Sequence, residues 1–229
     1  MELKKKTSWR DVSINEYLTL KKIVEDNDLQ EYDKEVKLIA FVNNISEDEV
    51  WNLPINEFRR LQVEKTWMTE FNLDENVKFK KINIGKQKYN IDTNLQHFSV
   101  AQYIDFQTLW PQQKKNPEYM KNILACFIIP EGKNYSDGYD VAELVNTIGD
   151  NIDILTANEI MFFFLKQYLI SIRATANYFN WQIAKMKRRT KDKEKMENLE
   201  KSWNDMKTQM IDQLKSSTRH PSTLVGLHL

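Results

Sequence analysis

Hydrophobic residues in the first half of the chain recur at intervals of three and four, which is the spacing of one helical face. Ser13 with Glu16 forms a capping-box pattern, in which a hydroxyl and a carboxylate satisfy free backbone amides at a helix start. This pattern predicts a helix from about Ile14 to Glu25. A second helical face is predicted from Leu29, Tyr32, Val36 and Ile39.

The stretch LIAFVNNISEDEVWNLPINEFRRL, residues 38–61, joins an apolar helix end to another amphipathic run. Ser46 with Glu49 forms a further capping box, which predicts a short helix. Pro54 disfavours helical geometry in the residue before it, so the chain must turn before a helix restarts at about Ile55. The stretch therefore predicts a helix, a turn, a short helix, a second turn and another helix.

The apolar period changes from helical to alternating in INIGKQKYNI, residues 82–91. The segment fits a hairpin whose two-residue turn begins with Gly85. Pairing Ile84 with Gln87 sets the register, and we expect an isolated hairpin packed on helices. In that register one face of the hairpin carries the apolar residues Ile82, Ile84, Tyr89 and Ile91.

Prolines and a glycine-rich loop divide the middle of the chain. Ser99 is expected to cap a helix that Pro111 ends, and Pro117 is expected to open the next helix. That helix contains PEYMKNILACFII and should close at Pro130. The turn-forming segment EGKNYSDGYD then predicts an exposed loop, followed by a short helix from about Val141.

The chain has no glycine or proline from Asp150 to His220, which predicts a long helical arm. Thr156 with Glu159 is expected to cap it. A heptad seam follows, formed by Leu165, Leu169, Ile172, Ala176, Phe179, Ile183 and Met186. A seam in a different frame contains Met196, Leu199, Trp203, Met206 and Met210. Either the arm turns near KRRTKDK or one helix changes its partner face there.

Together these patterns predict a mainly α fold: a multi-helix bundle with one small β-hairpin and a long C-terminal helical arm. Residues 1–155 form the helical domain, with the hairpin near residues 77–91. Residues 156–215 form the arm, as one long helix or as a helical hairpin. Residues 216–229 form an extended docking tail, because an apolar terminus is usually held against another surface. The apolar side chains of this tail include Leu224, Val225 and Leu227.

The composition of the chain argues against several functional classes. The 33 basic and 33 acidic residues balance, so no overall field draws the protein to nucleic acid or to a membrane. Cys126 is the only cysteine, which excludes an intrachain disulfide and is typical of a reducing compartment. The longest apolar run, IMFFFL, is too short to span a bilayer, and no signal peptide or membrane partner is expected. Its aromatic side chains are predicted to be core: Phe162, Phe163 and Phe164.

Residues that could perform chemistry are few. The chain has no glycine-rich phosphate loop, no HExxH and no GxSxG. His97 and Cys126 could in principle act as base and nucleophile, but both lie in helix-like, apolar surroundings, which favour packing. The sequence predicts no catalytic residue, no metal ligand, no cofactor and no enzymatic activity.

Two features favour binding to macromolecules. Residues 185–195 contain seven basic and two acidic residues, typical of a solvated face or a turn between helices. They are nevertheless the best candidates for contact with DNA or an acidic partner. The seam around Trp203 fits either an internal helical hairpin or a contact with another chain. The candidate DNA contacts are Lys185, Lys187, Arg188, Arg189 and Lys191, and the candidate interface is Met196, Leu199, Trp203, Met206, Met210, Leu224, Val225 and Leu227.

Two segments resemble bacteriophage proteins. Residues 38–61, with an apolar helix end, an acidic capped turn, the dipeptide LP and an amphipathic helix, resemble segments of small tail-assembly and head-to-tail proteins. The segment ILACFIIPEGKNYSDGYD, residues 123–140, precedes a short helix and the aromatic-rich helix from Thr156. That arrangement resembles structural proteins of crass-like phages.

The resemblance implies a structural subunit of the virion, which forms a ring of the tail barrel or head-to-tail connector and links the portal to the tail. Its partners would be copies of itself in a closed ring, a dodecamer if portal symmetry is followed, with the portal, other tail proteins and packaged DNA. It would be assembled in the host cytoplasm and located in the virion tail. Two alternatives stay open: a tail-assembly chaperone that binds the tape-measure protein, and a nucleic-acid-binding adaptor.

Overall fold

The fold is that of a computed structural model, which describes residues 5–74, 77, 79–92, 94, 97–113, 116–135, 137–187, 198, 201–205 and 208. These residues are predominantly helical, as the sequence predicts. The helices are α1 (Ile14–Glu25), α2 (Glu31–Asn43), α3 (Glu47–Trp51), α4 (Ile55–Glu64), α5 (Val100–Gln113), α6 (Tyr119–Ala125), α7 (Val141–Asn151) and α8 (Ile154–Lys187). The strands are β1 (Lys81–Ile84), β2 (Gln87–Ile91) and β3 (Ile128–Pro130), and short 3-10 turns span Trp9–Asp11 and Thr66–Thr69.

The predicted helix starts in the first quarter of the chain are confirmed. Ser13 Oγ accepts a hydrogen bond from the Glu16 amide at 3.3 Å, and the Glu16 carboxylate accepts one from the Ser13 amide at 2.9 Å. Ser46 and Glu49 form the same reciprocal pair at the start of α3. Pro54 precedes the first residue of α4. Local capping chemistry thus determines where these helices begin.

The described residues contain two hydrophobic clusters, and the second lies within α2, α3 and α4. It combines the apolar end of α2 with the inner faces of the two following helices, so residues 38–61 fold back on themselves as one packed unit. This explains why the acidic capped turn sits between two apolar runs. The buried members are Val36, Ile39, Ala40, Val50, Phe58 and Leu61.

The hairpin has the predicted register, since Ile84 pairs with Gln87 and Ile82 with Tyr89. The expectation that it is isolated is wrong. β3 pairs antiparallel with β2, placing Ile91 opposite Ile128 and giving a three-stranded sheet in the order β1-β2-β3. The predicted helix up to Pro130 ends at Ala125 instead, because the apolar run that follows also suits a strand and pairs with the free edge of β2.

The helix α5 also differs from its prediction at one end. Ser99 does cap it, since Ser99 Oγ accepts from the Gln102 amide at 3.1 Å. Pro111 does not end it, because the helix continues to Gln113. Proline removes one backbone donor from the helical hydrogen-bond ladder, a cost that tertiary packing can offset. Here Phe106 is fully buried one turn before the proline and holds α5 against the core.

The main core is centred on an aromatic cluster around Phe164 of α8. Its ring stacks on Phe127 with centroids 4.2 Å apart and meets Phe106 edge-on at 4.8 Å. The prediction that all three consecutive phenylalanines are deeply buried is wrong for two of them. Phe162 and Phe163 are only partly buried, whereas every residue from Ile154 to Met161 is buried, so the burial of α8 becomes one-sided only from this point.

The start of α8 is joined to the N-terminal segment by backbone hydrogen bonds. The Ile14 amide donates to the Ile152 carbonyl at 3.1 Å, and the Ile154 amide donates to the Val12 carbonyl at 2.9 Å. The expected capping box of Thr156 with Glu159 is wrong, because α8 begins at Ile154. Asp153 accepts from the Thr156 amide at 2.8 Å and is therefore the capping residue.

Glu159 does not cap α8 and instead forms an ion pair with Arg10. The Arg10 guanidinium donates to Glu159 Oε1 and, at 2.7 Å, to the Thr156 hydroxyl. The Glu159 side chain is 1% exposed, whereas that of Arg10 is 44% exposed. A buried carboxylate is costly without a cation, so this contact compensates the charge that α8 carries into the core.

We predict that Arg10→Ala lowers the free energy of unfolding by about 3 kcal/mol, the low end for removing one partner of a buried pair. The loss follows because Glu159 is left buried and uncompensated. Urea denaturation monitored by circular dichroism measures it. Arg60→Ala is the matched control, because Arg60 is 57% exposed and its pairs with Glu57 and Glu64 are surface pairs. Its cost should stay below about 1 kcal/mol, and equal losses in both variants would contradict a buried clamp.

Candidate interaction surface

The C-terminal part of α8 extends away from the aromatic core. Tyr168 is the last buried aromatic residue of the helix, and its hydroxyl accepts a hydrogen bond from the Gln107 amide side chain at 3.0 Å. Beyond it α8 continues to Lys187, so the helix has 34 residues and is about 50 Å long. Most of the described side chains after Tyr168 are exposed, whereas Ile183 is buried. The boundary expected at residue 155 falls in the first turn of α8, while the exposed part begins after Tyr168.

One side of this exposed part is in contact with another segment of the same chain. The Trp203 ring lies 4.6 Å from the Phe179 ring, and Trp203 Nε1 donates to Asn180 Oδ1 at 3.0 Å. In a straight helix, residues 179 and 203 would be about 36 Å apart. The contact therefore joins two parts of the chain that a single straight helix would keep apart, and residues 201–205 are helical.

The opposite side of the helix carries large apolar side chains in contact with solvent. Ile170 is 52% exposed, and Tyr178 and Trp181 are each 56% exposed. Helical periodicity places these residues with Lys185 on the side away from Phe179. We call Ile170, Tyr178, Trp181 and Lys185 the outer face.

The outer face is partly organised before any partner binds. Lys185 Nζ lies 4.9 Å above the Trp181 ring, a cation–π contact. The Tyr178 and Trp181 rings lie 6.2 Å apart, and the Tyr178 hydroxyl accepts from Gln182 Nε2 at 2.7 Å. Aromatic side chains held in one arrangement lose little conformational entropy on binding, which suits them to anchor an interface.

The residues that the sequence proposed as an interface are placed only in part. Trp203 contacts α8 of its own chain, which is the internal alternative for this seam. The other four residues of the seam lie outside the described residues, as do the three tail positions: Met196, Leu199, Met206, Met210, Leu224, Val225 and Leu227.

The basic run is likewise described only at its start. Lys185 is exposed and belongs to the outer face. Lys187 is the last residue of α8, and nothing of its side chain is described. Arg188, Arg189 and Lys191 lie outside the described residues.

Sequence reasoning missed the outer face. The heptad pattern drew attention to Phe179 and Ile183, and it did not single out Tyr178 or Trp181. A signal was available, because Tyr178, Trp181 and Lys185 follow each other at spacings of three and four. Aromatic residues on the side of a helix opposite its seam indicate a second contact surface.

The residues considered for catalysis lie in different environments. Cys126 is 1% exposed, and its Sγ lies 3.5 Å from the Asn122 carbonyl oxygen. Burial raises the pKa of the Cys126 thiol to about 12, so it is protonated at neutral pH and a poor nucleophile. The apolar surroundings expected for His97 are wrong. His97 is exposed, and its Nδ1 lies 3.0 Å from Asp92 Oδ2.

A surface cleft of about 440 Å³ lies between α2, α4 and the turn Thr66–Thr69. Lys65 and Glu35, both in its lining, form an ion pair of 3.0 Å. The described residues contain no group of three or more His, Cys, Asp or Glu side chains placed to hold a metal ion. Within the same part of the chain, no helix combines the length and apolarity needed to cross a membrane.

Comparison with known proteins adds no family to these observations. No family model matches the sequence, and no curated protein or solved structure matches the chain. The interpretation of the surfaces therefore depends on their own chemistry.

We predict that the free energy of unfolding falls as the pH rises above 9. The unfolded thiol of Cys126 loses its proton near pH 9, whereas the folded thiol keeps its proton up to about pH 12. Unfolding then releases a proton, and each pH unit costs at most about 1.4 kcal/mol for this group. Burial also raises the pKa of Tyr139, from 10 to about 12, which extends the loss to higher pH.

Urea denaturation at pH 8, 9 and 10 tests this dependence. Cys126→Ala should lower the slope between pH 9 and 10, and the slope that remains is that of the tyrosine hydroxyls, whose pKa values burial raises as well. An unchanged slope in this variant would show that the thiol is not the group responsible.

Proposed function

We propose that this protein is a non-enzymatic structural subunit of a bacteriophage virion, which assembles into a ring of the tail barrel or head-to-tail connector. The observation that carries the proposal is the outer face of α8, a surface of exposed isoleucine, tyrosine and tryptophan on the part of the helix that follows the aromatic core. The resemblance of residues 38–61 and 123–140 to phage tail and head-to-tail proteins supplies the phage context.

The energetics favour a protein partner for the outer face. Tyr178 and Trp181 each leave about half of their surface in water. Burying the rest would remove on the order of 100 Å² per side chain, which corresponds to about 2–3 kcal/mol each. Isolated exposed apolar residues are ordinary, but Ile170, Tyr178 and Trp181 lie on one side of one helix.

The two sides of α8 have different roles in this proposal. The side with Phe179 contacts Trp203 of the same chain, although Phe179 itself is 44% exposed. The outer face is free to contact a neighbouring subunit. α8 is about 50 Å long and mostly exposed beyond Tyr168, so this part of the helix is accessible to a neighbouring copy in a closed ring.

We predict that the double variant Tyr178→Ser, Trp181→Ser shifts the protein from oligomer to monomer without loss of helix content. Its dissociation constant should rise at least about 30-fold, since tryptophan anchors typically contribute 2 kcal/mol or more. Analytical ultracentrifugation measures the mass and circular dichroism the helix content. Val100→Ser is the matched control, because Val100 is 77% exposed on α5 and should not alter assembly. Equal effects of the two changes would count against the outer face.

We also predict that purified virions contain this protein in a copy number close to that of the portal protein. Quantitative mass spectrometry of particles from the phage source measures the ratio. Absence from mature particles together with presence in infected-cell lysate would contradict a ring subunit, and would favour the tail-assembly chaperone instead.

A further inference from the structure

A second exposed apolar surface lies at the junction of α3 and α4. Trp51, the last residue of α3, is 55% exposed, and Ile55, the first residue of α4, is 60% exposed. Both helices are held by the cluster that includes Val50 and Phe58, so this surface belongs to a packed unit and not to a loose loop. We call Trp51, Ile55 and the acidic residues Glu47, Asp48 and Glu49 the α3–α4 corner.

The α3–α4 corner is negatively charged. Residues 44–58 contain four acidic and no basic residues, and Glu47, Asp48 and Glu49 are all exposed. Glu49 accepts a hydrogen bond from the Ser46 amide at 2.7 Å, which lowers the pKa of its carboxyl and keeps it ionised at neutral pH. Glu47 forms an ion pair with Lys37, which is partly exposed.

The outer face of α8 is complementary to this corner in both polarity and charge. Each surface has an exposed tryptophan beside a second large apolar side chain. The outer face ends at Lys185, where the sequence enters the basic run of residues 185–195. The corner is acidic, so docking the two would pair opposite charges around an apolar centre, which is the usual arrangement of a protein interface.

The two surfaces do not cover each other within one chain. Trp51 and Trp181 both remain more than half exposed in the folded subunit. A contact between them therefore has to join two copies. Because the two surfaces differ, such a contact is heterologous, and a repeated heterologous contact closes into a ring when the rotation between neighbours permits.

We propose that the outer face of α8 in one copy docks on the α3–α4 corner of the next copy, with Trp181 and Trp51 as its central anchors. This inference rests on the proposed function and names the partner of the same site. In this contact the acidic residues of the capped turn, residues 46–49, face the basic end of the neighbouring α8. The same turn also starts α3.

Mixing two single variants tests the contact. Trp181→Ser disables the outer face, and Trp51→Ser disables the corner, so each variant alone should be monomeric at concentrations where the unchanged protein forms oligomers. An equal mixture retains one intact outer face and one intact corner. It should therefore form a heterodimer and nothing larger, which native mass spectrometry with one ¹⁵N-labelled variant identifies.

Controls separate folding from binding. Val63→Ser changes a residue of α4 that is 67% exposed and lies outside the corner, and it should assemble as the unchanged protein does. Ile55→Ser is a second corner variant, which should replace Trp51→Ser in the mixture with the same result. Circular dichroism should give the same helix content for all four variants.

The outcomes distinguish this inference from the proposed function. Oligomers of the unchanged protein that persist in either single variant would overturn the inference and leave an assembly role intact. The same holds for two monomeric variants that give no heterodimer when mixed, because an intact outer face and an intact corner would then have failed to bind each other. An unchanged protein that stays monomeric at all concentrations and is absent from virions would overturn both.

Discussion

The packing of Phe164 against Phe127 and Phe106 is the contact on which the rest of the structure depends. It joins α8 to α5 and to the segment leading into β3, so one side chain links three parts of the chain that are distant in sequence. The ion pair of Arg10 with Glu159 adds the N-terminal segment to the same helix. These contacts fix the first half of α8. They therefore also fix the direction in which the helix leaves the core and the orientation of the outer face.

The sequence predicted most of the helical framework because its signals were local. The capping boxes of Ser13 and Ser46 act over three residues, and the hairpin register follows from Gly85 and the alternation around it. The pairing of β3 with β2 could not be predicted in this way. It joins Ile91 to Ile128, and the apolar run near Ile128 is compatible with either helix or strand until β2 offers it a free edge.

The cap of α8 and its outer face were missed for a shared reason. Asp153 and Glu159 are both acidic residues near a helix start, and Arg10 forms ion pairs with both. The backbone bond of Ile154 to Val12 joins the helix start to the N-terminal segment, and at this start Asp153 is the capping residue. Similarly, both sides of α8 near Phe179 carry aromatic residues, and only the contact with Trp203 distinguishes them. The composition of a segment limits these roles, but long-range contacts assign them.

The two outer strands of the small sheet are short. Unpaired backbone groups at a sheet edge attract strands of other molecules, which leads to irregular aggregates. Here β1 has four residues, and β3 has three residues and ends in Pro130, which has no amide hydrogen to donate. Both edges thus offer few backbone groups to an added strand, which makes the sheet a poor template for aggregation.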